Sequence, residues 1–129
     1  MNAGRHIIMD AWGVTFEKLD DVEFVEKVLV ESVIIGDGTL IDKCVHHFSP
    51  QGVTATATIA ESHIAIHTWP EKGYFAADFF FCGEGKPDLA MEHFRKMFEP
   101  TNVNLREIQR GFDPEVKVHA TSENQIGLS

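Results

Sequence analysis

SHIAIHTWPEKGYFAADFFFC, residues 62–82, reads as two β-rich runs around a turn. SHIAIHTW (62–69) and YFAADFFFC (74–82) are rich in β-branched and aromatic residues, and PEKG (70–73) carries the proline and glycine of a tight reversal. The segment therefore predicts a β-hairpin. A hairpin centred near Lys72 sets Ser62 opposite Cys82, and a one-residue slip sets it opposite Phe81 instead. Either register brings a hydroxyl close to a thiol that is distant in the chain. Both strands are apolar on both faces, which points to an oligomer.

The flanking sequence extends the same sheet. TLIDKCVHHF (39–48) and VTATATIA (53–60) form a second hairpin around SPQG (49–52). RHIIMDAWG (5–13) and NVNLREIQ (102–109) add a first and a last strand. Two segments change to the helical period. Residues 20–36 place Val22, Val25, Leu29 and Val33 on one stripe, with Asp20 or Asp21 as cap and Gly36 as stop. Residues 86–98 have Pro87 in the first turn and Ala90, Phe94, Met97 and Phe98 on one face. The order β-α-β-β-β-β-α-β predicts an α+β two-layer sandwich, an antiparallel β-sheet with two helices packed on one face. At 129 residues the chain is expected to be one domain over 1–129, with residues 112–129 as a polar, flexible tail.

Composition narrows the function. A net charge of −9 argues against nucleic acid and anionic membrane surfaces as partners, and suits a small cationic ligand. Two cysteines, Cys44 and Cys82, do not make a secreted disulfide framework. No apolar run approaches the ~18 residues of a spanning helix, and no apolar leader opens the chain. A cytoplasmic protein with reduced thiols is expected. Ten phenylalanines predict an aromatic core.

The chemistry-bearing residues concentrate at Glu61, Ser62, His63 and His67. Four readings compete. A single Ser, His or Cys is most often a hydrogen-bonded sheet residue. A metal site would use His63, His67, His46 and His47, but the spacing is loose and no CxxC or HExxH accompanies it. A Cys82–His67 nucleophilic pair lacks a local signature, and the apolar FFFC setting favours the protonated thiol. In the fourth reading Ser62 itself is the group transformed.

GRHIIMDAWG, HHFSPQGV, AESHIAIHTWPEKGYFAADFFFCG and REIQRG together resemble the small prokaryotic S-adenosylmethionine decarboxylases over nearly all of residues 4–111. The resemblance implies self-cleavage between Glu61 and Ser62, leaving a covalent pyruvoyl cofactor made from Ser62. It implies that Thr54 donates to the developing oxyanion, that His67 is the acid–base group of processing, and that Cys82 is the proton donor of decarboxylation. Phe48, Ile64 and Glu71 are the implied substrate contacts, Phe48 on adenine and Glu71 on ribose. A homodimer of cleaved protomers with active sites at its interface is implied as well, and the product would serve polyamine synthesis. Thr54-Ala55 stands where the family usually has Ser-Gly, Phe81 where a smaller residue is common, and Lys72 where an aromatic is frequent. The same pyruvoyl chemistry on arginine or ornithine, or a non-processing regulatory homologue, are the alternatives.

Overall fold

In the computed structural model, which describes residues 4–111 and 120–123, seven strands form one antiparallel sheet. They are β1 (Gly4–Trp12), β2 (Leu40–His47), β3 (Val53–Ile59), β4 (Ser62–Trp69), β5 (Tyr74–Cys82), β6 (Asn102–Arg110) and β7 (Ala120–Glu123), in the spatial order β2-β3-β4-β5-β1-β6-β7. The helices are α1 (Phe16–Asp20), α2 (Val22–Ile35) and α3 (Pro87–Phe98). The α+β two-layer sandwich is thus present.

Alternation in the strands explains the two layers. Ile7, Met9 and Ala11 of β1, Ile64 and Ile66 of β4, and Phe75 and Phe79 of β5 are buried against the helices. Helix α2 returns Val25, Val28, Leu29 and Val33, and α3 returns Ala90, Phe94 and Phe98. Phe75, Phe79, Phe94 and Phe98 meet edge-on or tilted at 4.8–6.1 Å between ring centroids, so the aromatic core is real. Among the described residues the opposite sheet face carries no helix. On it lie His6, Ile8, Asp10 and Trp12, then Tyr74, Ala76, Asp78 and Phe80, then His63, Ala65, His67 and Trp69.

The structure refines the expectations. The helix expected over 20–36 is present as α2: Asp21 is its N-cap and accepts from the Phe24 N–H at 3.1 Å, and Gly36 is its C-cap. The short α1 before it was not read from the sequence. The β4–β5 hairpin adopts the slipped register: His63 pairs with Phe80 and Trp69 with Tyr74. The reversal is a single 3-10 turn over Pro70–Lys72 closed by Gly73 at φ 63, and this fixes the register. The flexible tail expected over 112–129 lies outside the described residues except at Ala120–Glu123, which pair with Leu105–Ile108 of β6 as an additional strand.

Candidate active site

Ser62 opens β4 directly after the two-residue turn Ala60–Glu61 that joins it to β3. Glu61 has φ 61, the left-handed region that side chains rarely adopt. The Ser62 Oγ accepts the Cys82 backbone N–H at 3.1 Å, so the expected neighbourhood of Ser62 and Cys82 holds despite the slipped register. The pair lines a pocket of about 220 Å³ with Asp37, Thr39, Phe81 and Glu84. Gly4 pairs with Cys82 from β1, and a Cβ there would meet the Phe81 carbonyl at 2.6 Å. A glycine is therefore required for β1 to close this end of the site.

His67 sits elsewhere. β4 is paired on both sides without a bend, so Ser62 and His67 stand about 16 Å apart at 3.3 Å per residue. His67 Nδ1 is instead 3.0 Å from the Thr54 Oγ1, its cross-strand partner. His67 and Thr54 line a second depression, of about 410 Å³, with Phe48, Trp69 and Glu71. Asp20 shapes this depression: its Oδ1 accepts the Gly52 N–H at 2.9 Å and lies 2.8 Å from His47 Nε2, tying α1 to the 48–52 turn. The Gly52 and His47 contacts hold the Asp20 carboxyl below its ordinary range. The candidate residues thus fall into two separate groups, Ser62 with Cys82 and Thr54 with His67, Phe48 and Glu71.

Other sequence expectations separate. Ile64, expected at the substrate, is fully buried in the core on the helix side of the sheet. Within one chain Cys82 and His67 are not a pair; His67 stands opposite Ala76, about 20 Å from Cys82 along β5. The histidines suspected of joint metal binding are dispersed. His46 packs its ring on Phe48, His47 meets Asp20, His67 meets Thr54, and His63 meets Asp78.

His63 instead joins a cluster that sequence reading missed. His63 Nε2 and His6 Nε2 lie 2.7 and 2.8 Å from the same Asp78 Oδ2. These three side chains could hold one metal ion. Against this, Arg110 Nη1 lies 3.3 Å from His6 Nδ1, where a metal-bound histidine wants an acceptor rather than a cation. Alternation alone puts His6 and Asp78 on faces of their strands; only the β1–β5 pairing makes them the same face.

Comparison with known proteins matches the sequence and the fold to one group of decarboxylases. Residues 5–111 match the family model described as S-adenosylmethionine decarboxylase. The chain is 47% identical over 117 residues to a Methanococcus maripaludis S-adenosylmethionine decarboxylase proenzyme, covering 88% of this chain and 96% of that one. It is 42% identical over 109 residues to the proenzyme of Moorella thermoacetica, covering 84% and 87%. The crystal structure of the adenosylmethionine decarboxylase from Aquifex aeolicus VF5 superposes with a TM-score of 0.83 at 32% identity, covering 90% of this chain and 97% of that one. The chain belongs to the S-adenosylmethionine decarboxylase family.

Proposed function

We propose that this chain cuts itself between Glu61 and Ser62 and then decarboxylates S-adenosylmethionine, using a pyruvoyl group made from Ser62. The observation that carries this reading is the setting of Ser62: it follows a left-handed glutamate, and its Oγ is held by the Cys82 N–H. In the cut, Ser62 Oγ bonds to the Glu61 carbonyl carbon and the amide C–N bond breaks, giving an ester. Loss of the Ser62 α-proton expels the Glu61 carboxylate. The remaining enamine takes up water and loses ammonia, leaving a keto group at the head of residues 62–129. Opening the bond relieves the Glu61 backbone. An N–H aimed at Oγ favours the charge that grows there as the hydroxyl proton leaves.

The residues around Ser62 fit such a group, because the pocket beside it is small and Cys82 touches it. The keto group would act as the electron sink of decarboxylation. Cys82 would hold the proton returned to the substrate α-carbon. Asp37 and Glu84 give the rim negative charge, which suits a sulfonium substrate. S-adenosylmethionine is favoured over arginine or ornithine because the relatives bear its name and because Phe48 and Glu71 share one depression.

Two half-sites about 16 Å apart cannot act together within one chain. The reading therefore includes a homodimer, in which Ser62 and Cys82 face Thr54 and His67 of the partner subunit. The helix-free sheet face supports it. Ile8, Ala65, Ala76 and Phe80 lie there, beside the stack of Trp12, Tyr74 and Trp69 at 5.4 and 5.2 Å. Work in the cytoplasm would keep Cys82 reduced.

Intact-mass measurement on the purified protein tests the reading. The expected result is two chains split at Glu61–Ser62, the larger lacking a free amine, and a single uncut chain without turnover for Ser62→Ala. Turnover by Ser62→Ala would overturn the pyruvoyl mechanism.

A further inference from the structure

We infer that Asp78 is a positioning residue that clamps the new chain end created by the cut, acting through His63. The inference rests on the processing reading above and concerns the step after it. Before the cut, Ser62 is tethered through the Ala60–Glu61 turn to β3. After it, residue 62 becomes a chain terminus, and strand termini fray. A reacting group displaced by 1 Å can lose about a hundredfold in rate. Something other than the peptide bond must then hold the head of β4.

The backbone alone holds it weakly. Pairing with β5 starts at His63 opposite Phe80, so residue 62 has a ladder partner only at Ile59. The side-chain clamp sits on the very next residue. A carboxylate oxygen only accepts, so His63 and His6 both present Nε2–H to the Asp78 Oδ2, at 2.7 and 2.8 Å. The Arg110 guanidinium beside His6 Nδ1, at 3.3 Å, selects that tautomer, because it can only donate. Phe80 packs beside both imidazoles, its ring 5.3 Å from His6 and 5.8 Å from His63, with Arg110 over it at 4.8 Å. Asp78 is therefore fixed from the β1 side and fixes β4 on the other. The established contacts of Ser62 and Cys82 do not use any of these side chains.

The test compares Asp78→Ala, Asp78→Asn, His63→Gln and the double variant Asp78→Asn/His63→Gln with the unmodified enzyme. Cleavage half-time, kcat and KM are measured for each. The clamp predicts cleavage within about twofold of the unmodified chain, because the uncut strand is still tethered. It predicts kcat lower by about tenfold in Asp78→Ala and His63→Gln, with KM within about twofold. Asp78→Asn keeps one acceptor oxygen and should lose less. The double variant should be no slower than His63→Gln alone, since Asp78 acts on the chain end through that histidine. Multiplicative losses in the double variant, or cleavage slowed while kcat is kept, would overturn the clamp and make the cluster a general stabiliser. Asp78→Asn is isosteric and keeps the test open if Asp78→Ala does not fold. An unmodified chain that turns over without being cut would instead overturn the processing reading, and the clamp with it. A cut and active unmodified chain beside a fully active Asp78→Ala would overturn the clamp alone.

Discussion

Glu61 sits at φ 61, and a left-handed backbone costs a non-glycine residue about 1–2 kcal/mol. That cost falls on the bond proposed to break. Glu61→Gly should remove most of it, so the uncut chain should be more stable and cleavage slower by about fivefold. A gel time course of the 1–61 and 62–129 products checks this, and an unchanged half-time would show that the turn stores nothing useful. The residue types at this end of β4 were legible in the sequence, because an acid, a hydroxyl and a histidine stand together before an apolar strand. The left-handed Glu61 was not, because glutamate carries no preference for that conformation. His6 and Asp78 were missed for a related reason: each looks ordinary within its own strand.

At the scale of elements, side chains from distant segments set the shape of each half-site. Asp20 ends α1 and holds the turn that presents Phe48. Asp20→Ala should loosen that turn and raise KM for S-adenosylmethionine by about fivefold, with kcat nearly kept; a fall in kcat at constant KM would count against the role. Arg5 links β1 to β6 and α3 through Glu107, at 2.6 Å, and Asp88, at 2.8 Å. Hydrogen bonding to Arg5, partly offset by burial, holds the Glu107 carboxyl below its ordinary value of 4.5. A carboxyl lowered in the folded state stabilises fully above its unfolded value and loses that contribution as pH falls through the folded one. Glu107→Gln should lower stability by about 1 kcal/mol at pH 7, after solvent screening, and flatten the loss of stability below about pH 4.5. Denaturant melts across pH measure it, and an unchanged acid slope would mean that other carboxyls dominate.

For the whole molecule, the separation of the half-sites makes a prediction that no single chain could satisfy. In a mixed dimer of His67→Ala and Cys82→Ala, one of the two sites receives Ser62 and Cys82 from the first chain and His67 from the second. Co-expression of two inactive variants should therefore recover activity, up to about a quarter of the normal level when chains pair at random. Mixtures as inactive as either parent would place each site within one chain. The helix-free face that carries the Trp12–Tyr74–Trp69 stack is where a second copy would bury apolar surface, and a complete active site and a covered sheet would then form in the same event.

Periodicity specified most of the architecture, since alternating and helical patterns report which residues face a core whatever that core contains. Strands 5–13, 39–48, 53–60, 62–69 and 74–82, both main helices and the aromatic core followed from it, and the motifs around Ser62 pointed to the family. Three-dimensional pairing settled the rest. It chose the hairpin register through the Pro70–Gly73 turn, sent Ile64 into the core, and gathered His6, His63 and Asp78 from three strands. It also kept Ser62 and His67 at opposite ends of one straight strand. Residue spacing along a chain says how far apart two groups are within an element, but which element lies beside another is fixed by the hydrogen-bond ladder and packing of the folded sheet.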